Sequence, residues 1–82
     1  MPRYMVQRTF RDGLRIPSAD VVERNADEGV TWITSYVSDD RSRTFCVYDA
    51  PTPEAIRRTA LRSDLPVDRI TRVTVLDPYP CD

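Results

Sequence analysis

Apolar and polar positions along the chain fall into six short segments with two different periods. From Arg3 to Phe10 they alternate, as in a strand with one face packed. Asp12-Gly13 and Pro17 mark a turn and loop. Ser18 is a suitable N-cap for a helix running to about Glu28, and Gly29 stands where a C-terminal glycine belongs. Val30 to Ser38 and Thr44 to Asp49 are rich in β-branched and aromatic residues, and the polar stretch Asp39-Asp40-Arg41-Ser42-Arg43 between them reads as a hairpin loop. Thr52-Pro53-Glu54 opens a second helix with a threonine cap, a proline at the first helical position and an acid facing the positive end of the dipole. That helix is expected to reach about Ser63 and stop before Pro66, and a last strand spans Ile70 to Asp77.

The order strand, helix, strand, strand, helix, strand predicts an α+β fold of the ferredoxin-like β-α-β-β-α-β type, an antiparallel sheet with both helices on one face. A period of two assigns Ile33, Val37, Phe45, Val47, Val73 and Val75 to the helix-covered face. Ala19, Val22, Ala26, Ala55, Ile56 and Ala60 are expected to pack down on them. The same alternation sends Tyr4, Val6, Phe10, Trp32, Tyr36, Cys46, Tyr48 and Leu76 to the other face, among Arg8, Thr34, Arg72 and Thr74. Nothing remains in the chain to cover so aromatic a surface, which monomers seldom tolerate. Two such sheets facing each other across a two-fold axis solve the problem, so a homodimer is expected.

Composition narrows the function classes. Eighty-two residues, 40% hydrophobic and 30% charged, predict one domain over 1–82 with a core too small to be very stable alone. The net charge of −1 argues against a general nucleic-acid partner. Arg43-Thr44-Phe45-Cys46-Val47-Tyr48 echoes an RNA-recognition signature only loosely, lacking its glycine and second aromatic. No apolar run is long enough for a membrane span and no export signal is evident, so a reduced cytoplasmic setting is expected. The absence of histidine excludes imidazole catalysis and imidazole metal ligation. All twelve basic residues being arginine excludes lysine nucleophiles. Two cysteines, Cys46 and Cys81, are too few for a thiolate zinc site.

What remains is carboxylate chemistry. On the first predicted helix Asp20, Glu23 and Asp27 share an arc of roughly 60° at i,i+3 and i,i+4 spacing. Arg24 can reach Asp20 and Glu28 but not Glu23 or Asp27, so those two acids lack a local counter-charge. A divalent cation relieves such a stripe, water completing its shell. The alternative is a solvated acidic face paired with arginines elsewhere. Asp39 and Asp40 form a second acidic pair, although turns favour aspartate for local backbone reasons. Cys81-Asp82 is a third possible chelating group, and Cys46 reads as a small buried hydrophobe or as a pocket thiol near Arg8 or Arg72.

The stretches Gly29 to Val37, Thr44 to Pro51, Pro53 to Ile56 and Leu65 to Ile70 together resemble a family of small ferredoxin-like proteins described as nickel-binding and thought to sequester the ion or limit its toxicity. The resemblance covers essentially the whole chain. It implies a non-enzymatic homodimer carrying Ni2+ near its surface. The family often has histidine where Thr34 stands, so here the resemblance leaves only oxygen donors, with thiolate assistance at most. The metal ligands expected on these grounds are Asp20, Glu23, Asp27, Asp39 and Asp40. A rival reading is a dimeric α+β barrel that binds or transforms a small molecule in an aromatic cavity between sheets, lined by Trp32, Tyr36, Cys46, Tyr48 and Arg72.

Overall fold

The structure, a computed structural model, describes residues 1–11 and 26–78. Strands β1 (Arg3–Thr9), β2 (Thr31–Val37), β3 (Arg43–Asp49) and β4 (Arg69–Val73) form one sheet in the order β2-β3-β1-β4, with every neighbouring pair antiparallel. Helix α1 (Pro53–Arg62) connects β3 to β4. Most of the predicted first helix lies outside the described residues. Its end is present, with Ala26 and Asp27 helical and Gly29 at φ 73°, its N–H donating to the Ala26 carbonyl at 3.0 Å. A left-handed turn here is one that glycine adopts without a Cβ penalty.

Helix α1 starts and stops as its sequence dictates. The Thr52 hydroxyl accepts from the Ala55 N–H at 3.2 Å, and Pro53 occupies the first turn, where a missing donor costs nothing. At the other end the Ser63 N–H donates to the carbonyls of Thr59 and Ala60, and Asp64 turns left-handed at φ 54°. The buried stripe of the helix is Ala55, Ile56, Thr59 and Ala60, and the Thr59 hydroxyl is satisfied by donating to the Ile56 carbonyl at 2.9 Å.

Which face of the sheet this stripe covers is the reverse of the expectation. The core consists of Tyr4, Val6, Val30, Cys46, Tyr48, Ala50, Ala55 and Ile56, with Val67 and Ile70 packed against it. The register pairs Tyr4 with Tyr48 and Val6 with Cys46 on β3, and Val6 with Ile70 on β4, so these residues share one face beneath α1. Phe45 and Val47, assigned by alternation to the covered face, stand on the open one opposite Gln7 and Met5. The physical reason is size matching. A helix stripe built mostly of alanine leaves room for large residues opposite, and a tyrosine is buried readily where its hydroxyl finds a partner.

Two further departures have local causes. In β2, Trp32 pairs with Tyr48 but Thr34 already pairs with Val47, so Ile33 is an extra residue in a bulge. The bulge inverts the alternation: Trp32, Ser35 and Val37 share the helix side while Thr34 and Tyr36 face the open side. The Trp32 indole N–H donates to the Ser35 hydroxyl at 2.8 Å, a contact that strict alternation forbids across three residues. Strand β4 ends at Val73 rather than Asp77. Its partner β1 ends there too: Val73 faces Arg3, and the preceding Pro2 has no N–H to offer and gives its carbonyl to the Ala50 N–H on the β3 side. Val75 and Leu76 therefore lie outside the sheet and are 77% and 90% exposed.

Candidate metal-binding residues

The hairpin between β2 and β3 is built around Asp40. Its Oδ1 accepts from the Ser38 hydroxyl at 2.8 Å, the Ser42 N–H at 3.0 Å and the Ser42 hydroxyl at 2.7 Å. These donors, led by the Ser42 N–H, hold the carboxyl down at about 2, well below its ordinary value of 3.8. Arg41 takes the left-handed conformation at φ 61°, its N–H on the Ser38 carbonyl at 2.9 Å. Asp40 is thereby committed to holding the turn, one oxygen being fully engaged. Asp39 beside it is exposed, and the shallow recess at the tip, about 430 Å³, is lined by Ser38, Asp39, Asp40, Ser42 and Arg43. A guanidinium at the rim opposes a cation there.

Of the acidic stripe on the first predicted helix, Asp20 and Glu23 lie outside the described residues. Asp27 has a counter-charge that sequence proximity did not reveal: its Oδ2 is 3.7 Å from the Arg62 guanidinium at the end of α1. Glu28 takes the Arg58 Nε at 2.9 Å and lies 3.8 Å from Arg62. The end of the first helix is thus fastened to α1 by arginines spaced one turn apart, as the solvated-and-paired alternative anticipates for this segment. The Asp27 pair is long and exposed on both sides, so it contributes little and is readily displaced.

Among the described residues, no three of histidine, cysteine, aspartate and glutamate converge in a way that could hold a metal ion. Two further acids, Asp49 and Asp68, are held by side-chain partners. Asp49 receives Arg3 in a two-pronged contact, Nε to Oδ1 at 2.8 Å and a terminal nitrogen to Oδ2 at 3.2 Å, which lowers the Asp49 carboxyl and raises the Arg3 guanidinium from their usual values. Asp68 accepts from the Thr9 hydroxyl while its N–H donates to the Gln7 carbonyl at 2.8 Å, clamping the start of β4 to β1. A preformed nickel site does not fit these groups within the described part of one chain.

The rival aromatic cavity also dissolves in the structure. Cys46 and Tyr48 are buried under α1, and the bulge puts Tyr36 on the opposite face from Trp32. Cys46 is a buried free thiol 3.6 Å from the Thr44 hydroxyl, packed as the small hydrophobe that one of its two readings expects. Arg8, placed by the sequence on the face of Tyr4 and Cys46, is buried there, which the sequence reading did not anticipate. Only 4% exposed, it donates to the Pro66 carbonyl at 2.7 Å and to the Tyr48 hydroxyl at 3.3 Å, its guanidinium 6.0 Å from the Tyr48 ring centre. Burial pushes the Tyr48 hydroxyl above its ordinary value, with Arg8 pulling the other way. The one signal available was its place in the alternation, between Val6 and Phe10, both buried.

Comparison with known proteins adds a family. Residues 4–73 match the family described as "Nickel responsive protein SCO4226-like". No curated protein matches the chain. Among solved structures it is similar to the crystal structure of SCO4226 from Streptomyces coelicolor A3(2), at 18% identity and a TM-score of 0.70, covering 92% of this chain and 99% of that one. At that identity the likeness speaks for the fold.

Proposed function

The chain belongs to the SCO4226-like family of nickel-responsive proteins, and on that premise we propose that it is a non-enzymatic Ni2+-binding homodimer that buffers the ion in the cytoplasm. The family match over residues 4–73 is the observation that carries this reading. The fold is read as ferredoxin-like, supported by the strand order β2-β3-β1-β4 and by the end of the first helix pairing with α1. Dimer formation through the open sheet face is supported by the apolar Met5, Phe45 and Val47 with Tyr36 at the edge, over which no described element packs. Among the described residues no helix is long and apolar enough to cross a membrane.

Nickel here is cargo, and the donors are oxygens. With no imidazole in the chain and Cys46 buried, carboxylates and water supply the shell in this reading, with the Cys81 thiol as the one other donor the sequence offers, which makes binding weak and exchangeable. Asp20, Glu23 and Asp27 are the first set we propose, because only a long exposed pair with Arg62 has to be released to free Asp27. Asp39 and Asp40 are the second, handicapped by the three donors already on Asp40 and by Arg43. Titration with a nickel salt in a calorimeter tests the reading. Binding is expected for the parent and expected to fall by at least roughly tenfold in Glu23→Gln with Asp27→Asn, because a single carboxylate cannot replace two. It is also expected to weaken as pH drops toward the carboxylate range near ~4. A parent that takes up no nickel defeats the function. A double variant that binds like the parent moves the site to Asp39 and Asp40 or to Cys81-Asp82.

A further inference from the structure

We draw no further inference here: the strongest candidate, the exposed apolar patch of Trp32, Ile33, Tyr36 and Val37 along the edge strand β2, carries nothing because nothing in the structure shows what covers it.

Discussion

The two faces of the sheet differ in a way that hydrophobicity alone does not rank. Under α1 lie tyrosine, arginine, threonine and cysteine together with Val6 and Ile56, and nearly all of them are closed to solvent. On the open face Met5, Phe45 and Val47 stand among Gln7, Thr34 and Thr71, with Arg3, Asp49, Arg43 and Arg69 toward the strand ends and Tyr36 62% exposed at the edge. The buried face tolerates polar groups because each named one has a partner: Arg8 on Tyr48 and Pro66, Thr59 on Ile56, Cys46 on Thr44. Over the open face no described element packs, and there only Val47, at 9%, is closed off by its sheet neighbours. A polar residue whose hydrogen bonds are made is tolerated inside beside a valine, so the alternation of apolar residues alone does not identify the inner face of this sheet.

The contrast is broken most severely from the covered side. Ile56→Ala empties a site only 1% exposed at the centre of the core and is expected to cost about 2–5 kcal/mol, a large part of what a domain this small holds. Urea unfolding followed by Trp32 fluorescence measures it, and a loss below ~1 kcal/mol would place the real core elsewhere. Next comes Tyr48→Phe, which keeps the ring and deletes the acceptor for Arg8. Leaving a buried guanidinium donor without its partner is expected to cost about 1–3 kcal/mol. An unchanged midpoint would mean that Arg8 finds water instead.

From the open side the expected effects are smaller. Tyr36→Ser is expected to change the stability of the isolated chain by no more than about 0.5 kcal/mol, as for exposed positions generally. A larger loss, measured where the protein is monomeric, would show that something in the chain covers this face after all. The smallest effect belongs to the hairpin. The Asp40 carboxyl is held at about 2 in the fold against an ordinary 3.8, so its support for the turn is complete above the ordinary value and is lost as pH falls through about 2. Carbon-detected NMR of the side-chain carboxyl gives the midpoint directly, and a value near 3.8 would show the serine contacts to be absent in solution.

How much of this could be read from the residues varies by feature. The boundaries of α1 follow from Thr52, Pro53 and the Ser63 end, because caps and first-turn preferences act over a few neighbouring residues. The hairpin at Asp39-Asp40 and the turn at Gly29 are local in the same sense. The inner face was not legible, since it depends on what the helix presents from the far side. The bulge at Ile33 was not legible either, because an extra residue shows only against its partner strand. For the acids, the stripe Asp20, Glu23 and Asp27 is a matter of helical spacing. The arginine that reaches Asp27 comes from position 62, which no local pattern connects to it.

By itself the sequence determined the kinds and order of the described segments, the turn and cap chemistry, and the donor inventory: with no histidine, metal chemistry is left to oxygen donors, with thiolate assistance at most. Those properties are set by each residue and its near neighbours. Only the tertiary structure decided which face of the sheet is buried, that Arg8 goes inside with it, that β4 stops where β1 ends, and that the arginines of α1 hold Asp27 and Glu28. Each of these is a contact between residues distant along the chain, and its free energy exists only once the sheet and the helix have met.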